Sequence, residues 1–221
     1  SALKRLNLDQ LLKKIDEIFD MHGLKPMIKE YTMLSTGMVV PVIYFDFLEA
    51  IYCLLSDPEV MHPDNLIDKK DVLNKDLKRE YAPYFGDKED LELLGDFHTG
   101  SVWKCGKQIY IKDPRTNKFL PIVWFLDKTH TNIQGRLKLE PLMFTLGIFK
   151  KECRCDPRFW RPLGFITDTE VSLSAKSIDK VQDYHNMMKI VLESYIKVHN
   201  ETIDWEFLID GELKKMKCYL E

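Results

Sequence analysis

No apolar run in this 221-residue chain approaches the length that spans a bilayer, about 18 residues, and no signal-peptide pattern is visible. A membrane-spanning helix is therefore not expected. Cysteine is scarce. The five residues Cys53, Cys105, Cys153, Cys155 and Cys218 are odd in number and scattered, which argues against a secreted disulfide scaffold. Only Cys153 and Cys155 lie close together, and no second pair stands at zinc-finger spacing. An excess of one charge is also missing: the net charge is −3 and the pI about 6.1, so the chain as a whole is not a basic nucleic-acid binder. Gly95, Gly100 and Gly106 are not followed by Gly-Lys-Ser/Thr, so they do not form a phosphate-cradling loop. Asp64, Asp68 and Asp71 lack the glycine and terminal glutamate of a calcium loop and read as solvated acids. Repeats and low-complexity tracts are absent. The first residue is Ser1 rather than methionine, and Glu221 falls inside an apparent strand, so both ends are expected to be cut from something longer.

What remains is a chain that can build a core. Apolar residues make up 45% and charged residues 30%, which suits one large domain or two small ones. The charge is uneven. Residues 46–96 carry a net −8, and residues 128–161 carry a net +5. Such asymmetry marks either an anion-binding face or ordinary solvated surface. Leu8, Leu11, Leu12, Ile15, Ile18 and Phe19 fall on one face of a helix predicted over 7–20. Residues 41–56 are apolar nearly all round and stop before Asp57-Pro58, which predicts a buried helix. A polar, acidic connection follows, with a short helix expected near 75–81, and His98 is expected in a turn or at the surface. Strand-like runs occupy 120–126, 141–149 and 162–167. A helix is predicted over 175–199, with a stripe of Ile178, Val181, Met188, Val191, Leu192, Tyr195 and Ile196. A hairpin is predicted to turn on Asp210-Gly211.

The most informative stretch is FLPIVWFLDKTHTN, residues 119–132. A buried strand runs into an aspartate, Asp127, followed by Lys128, Thr129 and His130. An acid at the end of a strand has a bland role, capping the turn that follows. It also has a chemical one. A carboxylate at the tip of a central strand is a rigid metal ligand, and phosphodiester chemistry by two Mg²⁺ ions about 4 Å apart needs such rigidity. One acid never suffices, so this role demands further acids from other elements. His130 is either a base, a phosphate contact or a core histidine.

Asp127-Lys128-Thr129-His130, the run PLMFTLGIF over 141–149, and Leu163-Gly164-Phe165-Ile166 occur in that order, joined by a basic stretch. Together they resemble the central block of Plavaka-type transposases, in the Kyakuja, Dileera and Zisupton supergroup. Gly95-Asp96 with Thr99-Gly100 is similar to the family's lead-in. The resemblance covers about residues 95–166. It implies an RNase H-like catalytic core whose first acid, on the first strand, matches Asp127. The expected fold is thus α/β: a helical part over 1–94, then the first half of an RNase H-like domain over 95–221. That half comprises three mainly antiparallel strands, a long helix and a hairpin.

The same resemblance implies Mg²⁺ or Mn²⁺ as cofactor, with Asp127 as metal ligand and Asp127 and His130 as catalytic residues. It implies DNA as partner, a nuclear location, and homo-oligomers as an assembly to look for. Lys128 joins Lys150, Lys151, Arg154, Arg158, Trp160 and Arg161 as expected nucleic-acid contacts, though the last six also fit a structural loop. The second and third acids are not assigned to Asp168, Asp204 or Asp210 and are expected beyond Glu221, so the piece alone is expected not to cut DNA. Three rival readings stand: a domesticated binding module without catalysis, an interaction domain whose helix over 41–56 packs on a partner, and a nuclease in which Asp96 or Asp168 joins Asp127.

Overall fold

In the computed structural model, residues 24–67, 97–127, 129–130, 138–167, 176–199, 201–209 and 211–220 are described. The helices expected over 7–20 and 75–81 lie outside them. The fold is mixed α/β with two sheets, compatible with a partial RNase H-like domain. The first sheet runs β1 (Met27–Thr32), β2 (Val39–Tyr44), β7 (Arg161–Thr167), β6 (Lys138–Leu146), β4 (Ile122–Leu126), with the short β5 (Thr129–His130) also on β6. The second runs β3 (Asn117–Leu120), β9 (Glu212–Leu220), β8 (Thr202–Ile209). All pairings are antiparallel except β3 with β9.

The stretch 41–56 is not one helix. Val39, Val40, Val42 and Ile43 form β2, and the helix α1 begins only at Phe47 and ends at Ser56 (Phe47–Ser56). The β-branched run favours strand, and Pro41 is tolerated because β7 pairs with β2 only at Ile43 and Tyr44. Asp46 supplies the start signal: its carboxylate accepts from the Glu49 N–H at 3.1 Å, an N-cap. The stop before Asp57-Pro58 is as expected. The first part of the chain is therefore not helical throughout, since β1 and β2 extend the main sheet. A further helix, α2 (Ser101–Tyr110), occupies the glycine-containing stretch, and Gly106 lets it approach: a Cβ there would stand 2.4 Å from the Phe119 ring.

The helix expected over 175–199 breaks at Leu192 into α3 (Ser177–Val191) and α4 (Glu193–Val198). Its buried face is Asp183, Met187 and Val191 rather than the full apolar stripe, and Ile178 and Val181 are 74% and 53% exposed. The α1, α3 and α4 helices cover one face of the main sheet. Phe47 is fully buried there, 5.1 Å from both Phe144 and Tyr195 and 6.3 Å from Trp124. The expected hairpin is present, with β8 and β9 in register from Thr202↔Tyr219 to Ile209↔Glu212 and Gly211 at φ +81°.

Asp183 is fully buried and ties α3 to the loop after β1. It accepts from the Tyr31 hydroxyl at 2.7 Å, the Leu34 N–H at 2.7 Å and the Ser35 N–H at 3.0 Å. Asn186 donates to the same Tyr31 oxygen at 2.9 Å. Burial pushes the Asp183 carboxyl up, but hydrogen bonds from Ser35, Tyr31 and Leu34 outweigh it and hold the group below the usual carboxylate range. Its contribution is therefore present above the unfolded value, about 3.9, and is lost as pH falls through the lower folded value. Asp183→Ala is expected to cost about 3 kcal/mol in urea unfolding at neutral pH, and Asp183→Asn to flatten the acid limb of the stability curve. At Gly164, a Cβ would meet Val191 Cγ1 at 2.6 Å and the Ile43 carbonyl at 2.9 Å. Gly164→Ala is expected to cost about 1–3 kcal/mol in the same measurement, because a backbone carbonyl cannot step aside.

Candidate metal and nucleic-acid site

The strand carrying Asp127 is in two pieces, β3 and β4, divided at Pro121. Ahead of the proline it pairs with β9, and beyond it the pairing is with β6. The expectation of a central strand is therefore not met: among the described residues β3 pairs only with β9 and β4 only with β6, each at the margin of its sheet. Pro121 has no N–H to continue both ladders. Because β3 and β9 run parallel, with Leu120 beside Leu220, β9 is directed along the unpaired margin of β4.

Side chains alternate along β4. Trp124 turns to the helices, 4.9 Å from Tyr195 and 6.0 Å from Phe144. Phe125 turns the other way and meets Trp160 edge-on at 6.0 Å. Asp127 shares the Phe125 side and is exposed. Its carboxylate has no hydrogen-bond or ion partner among the described residues. The register of β4 and β5 on β6 is continuous, Leu126↔Leu142 and Thr129↔Leu139, which sets Asp127 opposite Pro141.

The next acid along β6, Glu140, is 6% exposed and faces the helices instead. Burial, then the charge of Glu140 and a hydrogen bond to it, push the Tyr184 hydroxyl up to about 12. A shift of one residue turns a side chain to the opposite face, so Glu140 is no co-ligand for Asp127. Asp204 is on β8 and pairs with Lys215 at 3.1 Å. Asp96, Asp168, Asp210 and Lys128 lie outside the described residues, as do the side chains of Thr129 and His130. Among the described residues, no group of three or more His, Cys, Asp or Glu is placed to hold a metal ion. The Cys153 thiol is pushed up by burial, and Cys155 is exposed.

The basic link, 150–161, folds against the Asp127 side of the sheet, where the buried Thr145 hydroxyl donates to the Phe159 carbonyl at 2.6 Å. Most of its cations are used internally. Arg154 donates to the Phe149 carbonyl and lies over the Phe97 ring at 4.7 Å. Arg158 grips Asp156 at 3.0 and 2.8 Å and Glu59 at 3.0 Å, and holds the Asp156 carboxyl below its ordinary range. The Trp160 Nε1–H donates to the Arg154 carbonyl at 2.7 Å. Arg161 is 1% exposed, and its guanidinium donates to the carbonyls of Arg158 and Trp160 at 2.7 and 2.9 Å and stands 3.8 Å from Asp57. The expectation that Arg161 contacts nucleic acid is corrected accordingly: a buried guanidinium aimed at carbonyls cannot reach a phosphate. Lys150 is half-buried, whereas Lys151 is exposed. His98, expected in a turn or at the surface, is only 8% exposed.

Sequence reasoning missed Asp57 and Glu59 as partners of the link, since distant pairs leave no local signal. Arg161→Lys is expected to cost about 2 kcal/mol in urea unfolding, because one ammonium cannot reproduce the guanidinium fork.

No helix among the described residues is long and apolar enough to cross a membrane. No curated protein matches the chain. The family model for the Plavaka transposase matches residues 7–216, nearly the whole sequence. With the strand order, the acid at the strand tip and the basic link already in place, that match establishes that the chain belongs to the Plavaka transposase family.

Proposed function

We propose that the chain carries the first acid of an RNase H-like, metal-dependent transposase centre that cleaves DNA and transfers its strands. Membership of a transposase family supports DNA as the substrate. The observation that carries the assignment of Asp127 is its position: an exposed carboxylate, without a structural partner among the described residues, at the tip of a strand whose free margin β9 is directed along. Parallel strands end on the same side of a sheet. A residue continuing the course of β9 would therefore come up beside Asp127, where a second carboxylate is needed.

In this reading Asp127 is a ligand to Mg²⁺ or Mn²⁺. Bound there with the remaining acids, the ions would activate water or a 3′-hydroxyl and stabilise the leaving oxygen. Asp127 offers a fixed, solvent-facing oxygen pair. Lys128 and His130 would orient phosphate, and Lys151 with Lys150 would meet the backbone. Arg154, Arg158 and Trp160 would act mainly by holding the link in shape, with any DNA contact made through their outer edges. A nuclear location goes with this function. Since no other acid among the described residues joins Asp127, the chain by itself is expected to bind DNA without cutting it.

Asp127→Asn in the intact transposase tests the role. Cleavage is expected to fall at least about a hundredfold, with weaker Mn²⁺ binding by calorimetry and an unchanged melting temperature. Equal metal affinity and equal cleavage in the variant would remove Asp127 from the centre. A wild-type protein that binds DNA but never cuts it would favour the domesticated binding module.

A further inference from the structure

Phenylalanine is buried almost everywhere in this fold. Among the described residues each is 7% exposed or less, except Phe97 at 47% and Phe125 at 42%. Both border the basic link. The Arg154 guanidinium lies over the Phe97 ring at 4.7 Å, and Trp160 meets Phe125 edge-on at 6.0 Å, with 72° between the rings. A single half-exposed ring on a marginal strand is ordinary. The surroundings of Phe125 are not. It stands two residues from Asp127 on the same side of β4, ~7 Å away at ~3.3 Å per residue. Met143, directly opposite Phe125 on β6, and Pro141, opposite Asp127, are half-buried on that side too. They continue the ring into an apolar ledge that ends at the carboxylate. Trp160 stands beside the ledge and is itself fixed, because the Arg154 carbonyl accepts from its Nε1–H at 2.7 Å. An edge-on contact engages at most one face of the Phe125 ring, and the exposure of the residue leaves the other for a ligand.

We propose that Phe125, flanked by Met143 and Trp160, is a stacking platform for one unpaired nucleobase next to the scissile phosphodiester. The inference rests on the proposed function for the presence of DNA at Asp127. It adds the state of the DNA there. A base inside a duplex is stacked on both faces and has none to offer a ring. The ledge therefore takes a nucleotide that is out of the helix, whether flipped, frayed or in a single-stranded tail. All four bases present a ring face, so the platform is indifferent to sequence. The charges favour this occupant over an apolar protein segment. Such a segment would cover the ledge and bury the Asp127 carboxylate without a partner, which is costly. A nucleotide lays its base on the ring and keeps its charged backbone in solvent. Lys151, exposed on the same link and without an acid partner among the described residues, is available to the flanking phosphates.

The test uses the 221-residue chain and two DNA probes, a blunt duplex of about 20 base pairs and the same duplex with a short single-stranded tail, followed by fluorescence anisotropy across a salt series. The wild-type chain is expected to bind the tailed duplex about tenfold more tightly, the size of one base–aromatic contact. Phe125→Leu keeps an apolar side chain and removes the ring. It is expected to erase most of that preference while blunt-duplex affinity stays within about twofold and the salt slope holds, because no phosphate contact is lost. Phe125→Trp is expected to keep the preference. Equal binding of the two probes by the wild-type chain overturns the platform, and so does an undiminished preference in Phe125→Leu. Neither result touches Asp127, whose role is read from metal binding and cleavage. A chain that binds neither probe overturns the platform and the DNA reading together. Should the variants fail to fold, the aromatic NMR resonances of Phe125 in the wild-type chain decide. They are expected to shift with the tailed duplex and to stay in place with the blunt one, and resonances that the tail does not move overturn the proposal.

Discussion

One strand serves two sheets, and the rest of the architecture follows from how it is interrupted. Pro121 brings no N–H, so the ladder cannot run through it on both sides. Its carbonyl is still used: Gly147 donates to it at 2.7 Å, and a Cβ at Gly147 would come within 2.9 Å of the proline ring. The proline and the glycine together let β3 turn to β9 while β4 stays with β6. This fixes the direction of β9 relative to the acid-bearing tip. It also leaves the margin of β4 unpaired among the described residues.

Alternation then decides which groups can cooperate. Odd-numbered residues of β4 face the basic link, and even-numbered ones face α1, α3 and α4. Asp127 and Glu140 are close in the pairing register, yet the sheet stands between their side chains. Glu140 is committed to Tyr184 on the helix side, while Asp127 faces solvent. Likewise Asp183 is the most deeply buried acid on α3, but three donors already surround it. A carboxylate whose lone pairs are met by the fold has little left for a metal ion. Asp127 is distinguished by having none of those ties among the described residues.

The elements legible in the sequence were those with local signals. Asp210-Gly211 marks its hairpin because one residue must take positive φ, and Gly211 does. The three strands around Asp127 were legible because each is an apolar run bounded by polar or turn residues. What escaped notice depends on distant partners. The apolar run over 41–56 reads as helix until β7 and β1 claim its first half as a strand. Asp183 breaks the apolar stripe of α3, and the distant donors that explain its burial are the Tyr31 hydroxyl and the backbone N–H groups of Leu34 and Ser35. The α2 helix contains Gly106, a poor helix former, and the reason is the Phe119 ring packed on it. Of the candidate site, the acid was legible and its surroundings were not, because period-two facing cannot be assigned until the register is known.

The charge pattern teaches the same lesson in electrostatic terms. Along the sequence, an acidic block over 46–96 precedes a basic block over 128–161. In the fold the two blocks touch. Arg158 reaches Glu59, and Arg161 reaches the neighbourhood of Asp57 at the end of α1. Part of the apparent basic face is thus neutralised within the molecule, and the arginines most conspicuous in the sequence are the least free to bind an anion. Net charge over a window counts every cation alike. Affinity for a polyanion depends instead on the cations that folding leaves without an acid, because only these release counterions when a phosphate arrives. Lys151 on the link is one such cation: it is exposed and has no acid partner among the described residues.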